Sequence, residues 1–296
     1  MLATLAESAI ADNRMLTSSR KLLYYSLHRM KSGFQLSGLL LASLFLLSAS
    51  TLAQQPFYTD DANVTGKGKF HLQFSNEYDL LQRSSYPAKT QNLSVFELDY
   101  GLFKGVEIGV DAPLLAIHKA RITRPRTAVG IGDVNFHLKY NFYKEREDSK
   151  WPALALNMSI EFPTGDASKQ LGSGLTDYYL NGILQKSLTK KTKLRMNGGI
   201  LFAGNETTGV IGIRTRGRVF TAGSSLVKQF TRRLDLGAEI TGAVTSNFQL
   251  SKGQLQALVG GNYALRKNLT FDFGIVGGRF SASPRAGAQL GFSLDF

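Results

Sequence analysis

From Phe70 onward, apolar and polar residues alternate in short segments. Phe70, Leu72, Phe74 and Tyr78 take one phase, and His71, Gln73, Ser75 and Glu77 the other. Phe96, Leu98, Tyr100 and Leu102 alternate with Glu97, Asp99 and Gly101; Val106, Ile108, Val110 and Ala112 alternate with Glu107, Gly109 and Asp111. The sharpest segment sets Val134, Phe136, Leu138, Tyr140 and Phe142 against Asp133, Asn135, His137, Lys139 and Asn141. In a fifth, Leu154, Leu156, Met158, Ile160 and Phe162 oppose Asn157, Ser159 and Glu161. A period of two is the mark of a strand with two unlike faces. Further segments fall near 175–187, 192–204, 218–230, 233–245, 254–265, 268–280 and 286–296, with no decidable phase in 218–230. That predicts about twelve antiparallel strands.

The connections fall into two classes. Predicted inner turns are Phe103–Gly105, Tyr143–Trp151, Leu188–Lys191, Thr231–Arg232 and Arg266–Lys267; predicted outer loops are 81–91, 116–129, 164–174, 205–217, 246–252 and 281–285, and all the turns but Tyr143–Trp151 are shorter than every loop. Short connections at one end and long ones at the other, with an even strand count, are the pattern of a transmembrane antiparallel β-barrel whose termini share the periplasmic side. Lipid cannot satisfy backbone N–H and C=O groups, so a sheet that spans it must close on itself. In that reading the apolar phase faces hydrocarbon and the polar phase a wet interior; a lipocalin would reverse the two. The last strand carries Leu290, Phe292, Leu294 and a terminal Phe296. Such an ending resembles the signal read by the outer-membrane insertion machinery, with Phe292, Leu294 and Phe296 as its apolar positions.

The first 53 residues follow different rules. Leu36 to Leu47 is a mostly apolar run behind Met30-Lys31, and Thr51-Leu52-Ala53 supplies small residues for cleavage between Ala53 and Gln54. This fits a secretory signal peptide over 30–53, the run being short for a spanning helix of about 20 residues. Residues 1–29 precede that pattern and read as an extension or an early-assigned start. Residues 54–66 are expected to be a periplasmic or plug segment, and 67–296 the barrel.

Composition agrees. Hydrophobic residues make up 43% of the 296, Gly is abundant at 30, and Cys is absent. Mean hydropathy is −0.10, too polar for a helical membrane protein. Lack of Cys removes thiol nucleophiles and thiolate metal sites. The formal charge is +13; after Ala53 thirty basic and twenty acidic residues remain. The basic residues are scattered or sit in predicted loops, as with Lys119, Arg121, Arg124 and Arg126, and with Arg214, Arg216 and Arg218. Lipopolysaccharide is therefore a better electrostatic partner than nucleic acid.

Several motifs resemble one group of bacterial outer-membrane barrels: Pro56-Phe57-Tyr58-Thr59-Asp60-Asp61 with Gly66-Lys67-Gly68-Lys69-Phe70; Gly130-Ile131-Gly132-Asp133-Val134, opening a strand; and Glu161-Phe162-Pro163-Thr164-Gly165-Asp166, closing one. The group is the putative MetA-pathway of phenol degradation family, and the resemblance runs over 56–296. It implies an outer-membrane channel or transporter, with aromatic or other apolar compounds as solutes, and does not imply a phenol-degrading enzyme.

Candidate pore-lining residues are Glu97, Asp99, Glu107, Asp111, Asp133, His137, Lys139, Glu161, Lys193 and Arg195. They could set a transverse field that selects by charge, or pair across the lumen and stiffen it; the second reading is preferred. Twelve strands lie between eight, which side chains can fill, and sixteen, which leave a wide channel. A narrow or partly plugged lumen follows. Pro163-Thr164-Gly165-Asp166 reads first as turn chemistry. Gly130-Ile131-Gly132-Asp133 precedes a strand, which sets aside a phosphate loop.

The expected function is passive passage of small molecules through a narrow polar lumen. A sealed structural or lipid-interacting barrel is the alternative. A membrane-embedded hydrolase using His71 or His137 is a third reading; no nucleophile elbow is present, and an enzyme is not expected. No cofactor or metal ligand set stands out.

Overall fold

The computed structural model describes residues 56–146, 150–202, 209–211, 217–245 and 253–296. The signal segment, its Ala53–Gln54 junction, residues 1–29, Arg214 and Arg216 lie outside the described residues.

Thirteen strand segments follow one another: β1 (Phe70–Leu80), β2 (Ala88–Phe103), β3 (Val106–Lys119), β4 (Thr127–Ile131), β5 (Val134–Tyr143), β6 (Ala153–Phe162), β7 (Asp177–Thr189), β8 (Thr192–Phe202), β9 (Arg218–Gln229), β10 (Leu234–Thr245), β11 (Gln254–Arg266), β12 (Leu269–Arg279) and β13 (Ala286–Asp295). Both β4 and β5 pair with β3, interrupted only at Gly132-Asp133, so together they cross once. Every other strand pairs antiparallel with its sequence neighbours, and β1 pairs with β13 through His71 opposite Asp295 and Leu80 opposite Ala286. The result is a closed barrel of twelve spanning strands. Closure leaves no edge, the condition a sheet must meet in lipid. At the seam, Phe70 N donates to Phe296 O at 2.8 Å and Phe296 N to Phe70 O at 3.0 Å, with the two rings stacked.

Alternation sets what faces out. Leu72, Leu98, Phe136, Met158, Leu180, Ile240, Ile275 and Phe292 are large, apolar and exposed, while His71, Gln73, Asp99, Lys139, Asn181, Arg195, Glu239 and Gln289 are buried. A water-soluble protein has the opposite arrangement. Here the exposed set is the hydrocarbon-facing belt, and the buried set fills the barrel.

The undecided segment is strand β9, paired on both sides. Its phase is hard to read because its faces are mixed. Val219 and Val227 are buried inside, while Phe220 and Leu226 point outward beside Arg218 and Lys228. Val227 meets Phe57 of the N-terminal segment, and Val219 meets Ala282 of an outer connection, so apolar residues are favoured inside too.

Some predicted loop bounds are corrected. Loop 81–91 is shorter because β2 starts at Ala88, and much of 116–129 is strand, since β3 runs to Lys119 and β4 starts at Thr127. His118 therefore lies on β3, and its Nδ1 is 3.1 Å from Thr127 Oγ1. Pro113-Leu114-Leu115-Ala116-Ile117 does not alternate because both faces meet apolar surroundings. Leu114 is exposed on the lipid side, whereas Leu115 and Ile117 are fully buried in a cluster with Leu81, Leu171, Val210 and Ile211. The spanning strand associated with Gly130-Ile131-Gly132-Asp133 likewise opens three residues earlier, at Thr127. Among the short turns, Lys104-Gly105 is held by Asn141 N donating to Gly105 O at 2.8 Å. Gly105 has φ 86°, a conformation that favours glycine.

Candidate functional site

The lumen contains a segment that precedes the first strand. Residues 56–66 run through it with irregular backbone, which inside a barrel needs partners for its N–H and C=O groups. Inward side chains of distant strands supply them. Gln289 Nε2 donates to Pro56 O at 2.6 Å. The Glu239 carboxylate accepts from Tyr58 N at 3.0 Å and from Thr59 N at 2.5 Å. Asn141 Nδ2 donates to Ala62 O, and Thr65 N donates to Glu107 Oε2 at 2.5 Å.

Side chains of the segment answer charge with charge. Lys139 is almost completely buried; its Nζ lies 2.9 Å from Asp60 Oδ1 and 3.2 Å from Glu107 Oε1. Arg195 Nη2 lies 3.3 Å from Asp61 Oδ2. Asn157 Nδ2 donates to Asp60 Oδ2 at 3.1 Å, and Tyr58 hydroxyl donates to Glu77. Phe57 packs on Val227, Leu258 and Val276; Ala62 packs on Ala153, Ala155 and Ile183. Without the two aspartates Arg195 would lose its ion pair and Lys139 would keep only Glu107, and a buried cation left without its partner costs several kcal/mol.

Beside this segment is a cavity of about 420 Å³. Phe57 to Asp60 bound it on one side, and Glu77, Asp79, Glu97, Asp111, His137 and Lys139 contribute charge to its wall. Leu93, Tyr179, Ile211 and Pro284 line it toward the outer connections. There Leu115, Ile117, Leu171, Val210 and Ile211 form an apolar cluster. Leu201, Val219, Ala243 and Ala282, with Tyr179 against them, form a second patch. The cavity wall is thus mixed: Glu77 lies opposite Leu93 and Asp79 opposite Gln91 near the outer end of β1, so charged and apolar side chains stand side by side.

Four of the ten candidate residues, Glu97, Asp111, His137 and Lys139, line this cavity. Glu107 and Arg195 instead hold the N-terminal segment. Lys193 shares the inward phase of Arg195 but is exposed beside the short turn that opens β8. Asp133 is a loop anchor: its carboxylate accepts from Gly165 N at 2.9 Å and Ser173 N at 2.5 Å. Glu161 pairs in register with Asp177 and Asn135 on the neighbouring strands. Asp99 lies against His137, with Nε2 to Oδ1 at 3.0 Å, and Asp111 Oδ2 lies 3.8 Å from His137 Nδ1. His71 Nδ1 is 2.6 Å from Asp295 Oδ1.

The partners missing from the candidate set are Tyr58, Asp60, Asp61, Asn141, Glu239 and Gln289. Alternation marked Asn141 as inward, but no signal in one sequence says which inward residue an eleven-residue stretch far away will touch. Asp60-Asp61 ahead of a barrel whose polar phase holds Lys139 and Arg195 was the available hint.

Two of the motifs behind the family resemblance bind each other. Thr164 Oγ1 donates to Gly132 O at 2.7 Å and accepts from Val134 N at 3.0 Å. Asp166 then caps the short turn Ala167–Lys169, accepting from Ser168 N at 3.0 Å and Lys169 N at 3.3 Å. The Lys169 ammonium, with Ser168, holds this exposed carboxyl down at about 2 from its ordinary 3.8. These motifs therefore build the outer connection that carries Leu171 into the mouth.

The comparisons agree with this architecture. No curated relative matches the sequence. Among solved structures, the COG4313 outer membrane channel from Pseudomonas putida F1 is similar, with TM-score 0.58 and 12% identity over 80% of this chain and 98% of that one. The NanC porin matches with TM-score 0.50 and 10% identity over 76% of this chain and 98% of that one. At such identities the likeness concerns the fold. With the exposed apolar belt, it makes the chain a bacterial outer-membrane barrel of the channel and porin architecture. The model of the family described as "Putative MetA-pathway of phenol degradation" matches residues 53–296, more than half of the chain, and the protein belongs to that family.

Proposed function

We propose that the protein is an outer-membrane channel for small molecules, closed at rest by residues 56–66, which hold its polar lumen through ion pairs. The observation that carries this reading is the pairing of Asp60 with Lys139 and Asp61 with Arg195 beside a cavity that continues to the mouth. A lumen built to be solid would be filled by its own strand side chains. This one is filled by a separate segment whose anchors are electrostatic and whose removal leaves charged walls ready for water.

The mixed wall of the cavity suggests the solute class: a small molecule with an apolar body and one or two polar groups. The apolar body would be received by Leu93, Tyr179 and Ile211, and the polar groups by charged residues such as Glu77 beside them. Aromatic alcohols and acids of single-ring size fit that description. Passage needs no catalysis. The polar partners of His71 and His137 among the described residues are carboxylates, so neither histidine has a hydroxyl in place to activate. Half-buried Lys119 and exposed Arg121, Arg124 and Arg126 on and beside the outer end of β3 would meet lipopolysaccharide phosphates.

The test is ion and solute flux. Protein purified from outer membranes is reconstituted in planar bilayers and liposomes, as wild type and as Asp60→Ala/Asp61→Ala. The reading expects small or intermittent current from wild type, larger steady current from the variant, and faster entry of a phenol-sized aromatic than of a sugar of similar mass. Silence from both folded proteins would overturn it in favour of a sealed structural barrel.

A further inference from the structure

Strands β2 and β5 bring Glu97, Asp99 and His137 to one place on the lumen wall, across β3 and outside the anchoring contacts of residues 56–66. In register, Asp99 lies opposite Gly109, and Gly109 lies opposite His137. Strand spacing puts the outer two backbones about 10 Å apart. Their side chains nevertheless meet over the middle strand, because the residue between them has no side chain. A Cβ on Gly109 would fall 2.0 Å from Asp99 Oδ1 and 2.3 Å from His137 Nε2. Glycine here keeps open a space that any other residue would fill.

The neighbouring row, two residues along, is Glu97, Asp111 and Asn135. Gln73 Nε2 donates to Glu97 Oε2 at 2.9 Å, and Asn135 Nδ2 donates to Asp111 Oδ2 at 2.8 Å. These contacts orient the two carboxylates and leave oxygen atoms uncommitted. Asp111 Oδ1 is buried with no hydrogen bond. Asp99 is the stronger case: the residue is 0% exposed, and neither carboxylate oxygen accepts a hydrogen bond. Its Oδ1 is close to His137 Nε2 without the alignment of a hydrogen bond. One donor atom from each of Glu97, Asp99 and His137 lies within 4.8 Å of the others. Three carboxylates thus gather around one imidazole, and the nearby Lys139 is engaged by Asp60 and Glu107.

We propose that Glu97, Asp99 and His137, with Asp111 beside them, bind one divalent transition-metal cation in the space over Gly109. A cation would add positive charge among the gathered carboxylates and a partner for Asp99 Oδ2, which has no hydrogen bond. Donor atoms bonded at about 2.1 Å to a tetrahedral ion sit about 3.4 Å apart, within the spread seen here. One imidazole nitrogen among carboxylate oxygens favours zinc- or manganese-type ions over calcium, which prefers six or more oxygens. Asp111 near Nδ1 of the same ring is the outer partner that fixes a metal-bound histidine. Metal binding does not depend on whether the barrel conducts, and the sequence had offered no metal set because its members lie on separate strands.

Full-length protein from outer membranes, stripped with chelator and kept folded in detergent, would be titrated with Zn²⁺, Mn²⁺ and Ca²⁺ by calorimetry. Metal content would be counted after dialysis. One Zn²⁺ per barrel is expected, with Ca²⁺ far weaker. Asp99→Asn and Gly109→Ala should each weaken zinc by at least about tenfold, while Glu161→Gln, an inward acid outside the cluster, should leave it unchanged. Heat-modifiable electrophoretic mobility reports whether each variant is folded. Should the variants not fold, X-ray absorption of the zinc-loaded wild type decides alone: an oxygen–nitrogen shell with imidazole scattering supports the site, and a shell without imidazole overturns it. Binding of no zinc, equal binding in all variants, or equal affinity for calcium would also overturn it.

Discussion

The periplasmic half of the lumen and the described part of its outer end hold their contacts by different means. In the lower half, Asp60, Asp61 and the backbone of 58–65 meet Lys139, Arg195, Glu239 and Glu107 through ion pairs and hydrogen bonds. At the mouth, Leu115 and Ile117 meet Leu171, Val210 and Ile211 through apolar contact. The lower contacts are directional, and their charges become buried liabilities once a partner leaves. The upper contacts are graded and can loosen by small rearrangements. On the proposed function, the first would act as a gate and the second as an entrance.

The largest expected effect comes from breaking the lower contacts outright. A chain lacking residues 56–66 should conduct several-fold more than wild type in planar bilayers; equal conductance would mean that the segment does not obstruct. Next is Lys139→Ala, which strands Asp60 and Glu107 and should destabilise the barrel by about 3–5 kcal/mol in urea unfolding. Adding Asp60→Asn and using Lys139→Met should recover part of that loss, and a cost unaffected by the second change would assign it to packing. Leu115→Ala should cost about 2 kcal/mol, the low end for a buried leucine, because the connecting residues Leu171 and Ile211 can settle into the gap. It should also speed entry of a small aromatic solute while leaving ionic conductance almost unchanged, which separates mouth from gate.

The smallest effect concerns Asp166. Its carboxyl is held at about 2 against an ordinary 3.8, so its contribution to the outer connection is present above about 3.8 and lost as the pH falls through 2. Hydrogen exchange at the amides of Ser168 and Lys169 should rise over that window and in Asp166→Ala, with the strands unaffected. Exchange that did not respond would show that the cap is dispensable.

The strands were legible because lipid and lumen impose opposite demands on alternate residues, and that demand is written every two positions. Legibility failed where it was relaxed. In β9 the inward face takes Val219 and Val227, which pack on other apolar residues. In β3 the run from Pro113 to Ile117 has lipid on one side and buried apolar residues on the other. Of the candidate lumen residues, inward phase identified the set but not the roles. Lys139 and Arg195 hold the N-terminal segment, Asp133 anchors an outer connection, and Glu97 and His137 face the cavity.

By itself, then, the sequence determined a closed twelve-strand barrel with a polar interior, because a period of two, an even strand count and sorted connections are local or nearly local properties. Tertiary structure alone decided that Asp60 meets Lys139, that Glu239 receives the backbone of Tyr58 and Thr59, and that Asp99 and His137 meet above Gly109. Those contacts depend on strand register and on the path of a segment without periodicity. They join residues such as Tyr58 and Glu239, 181 positions apart, for which a single sequence carries no shared pattern.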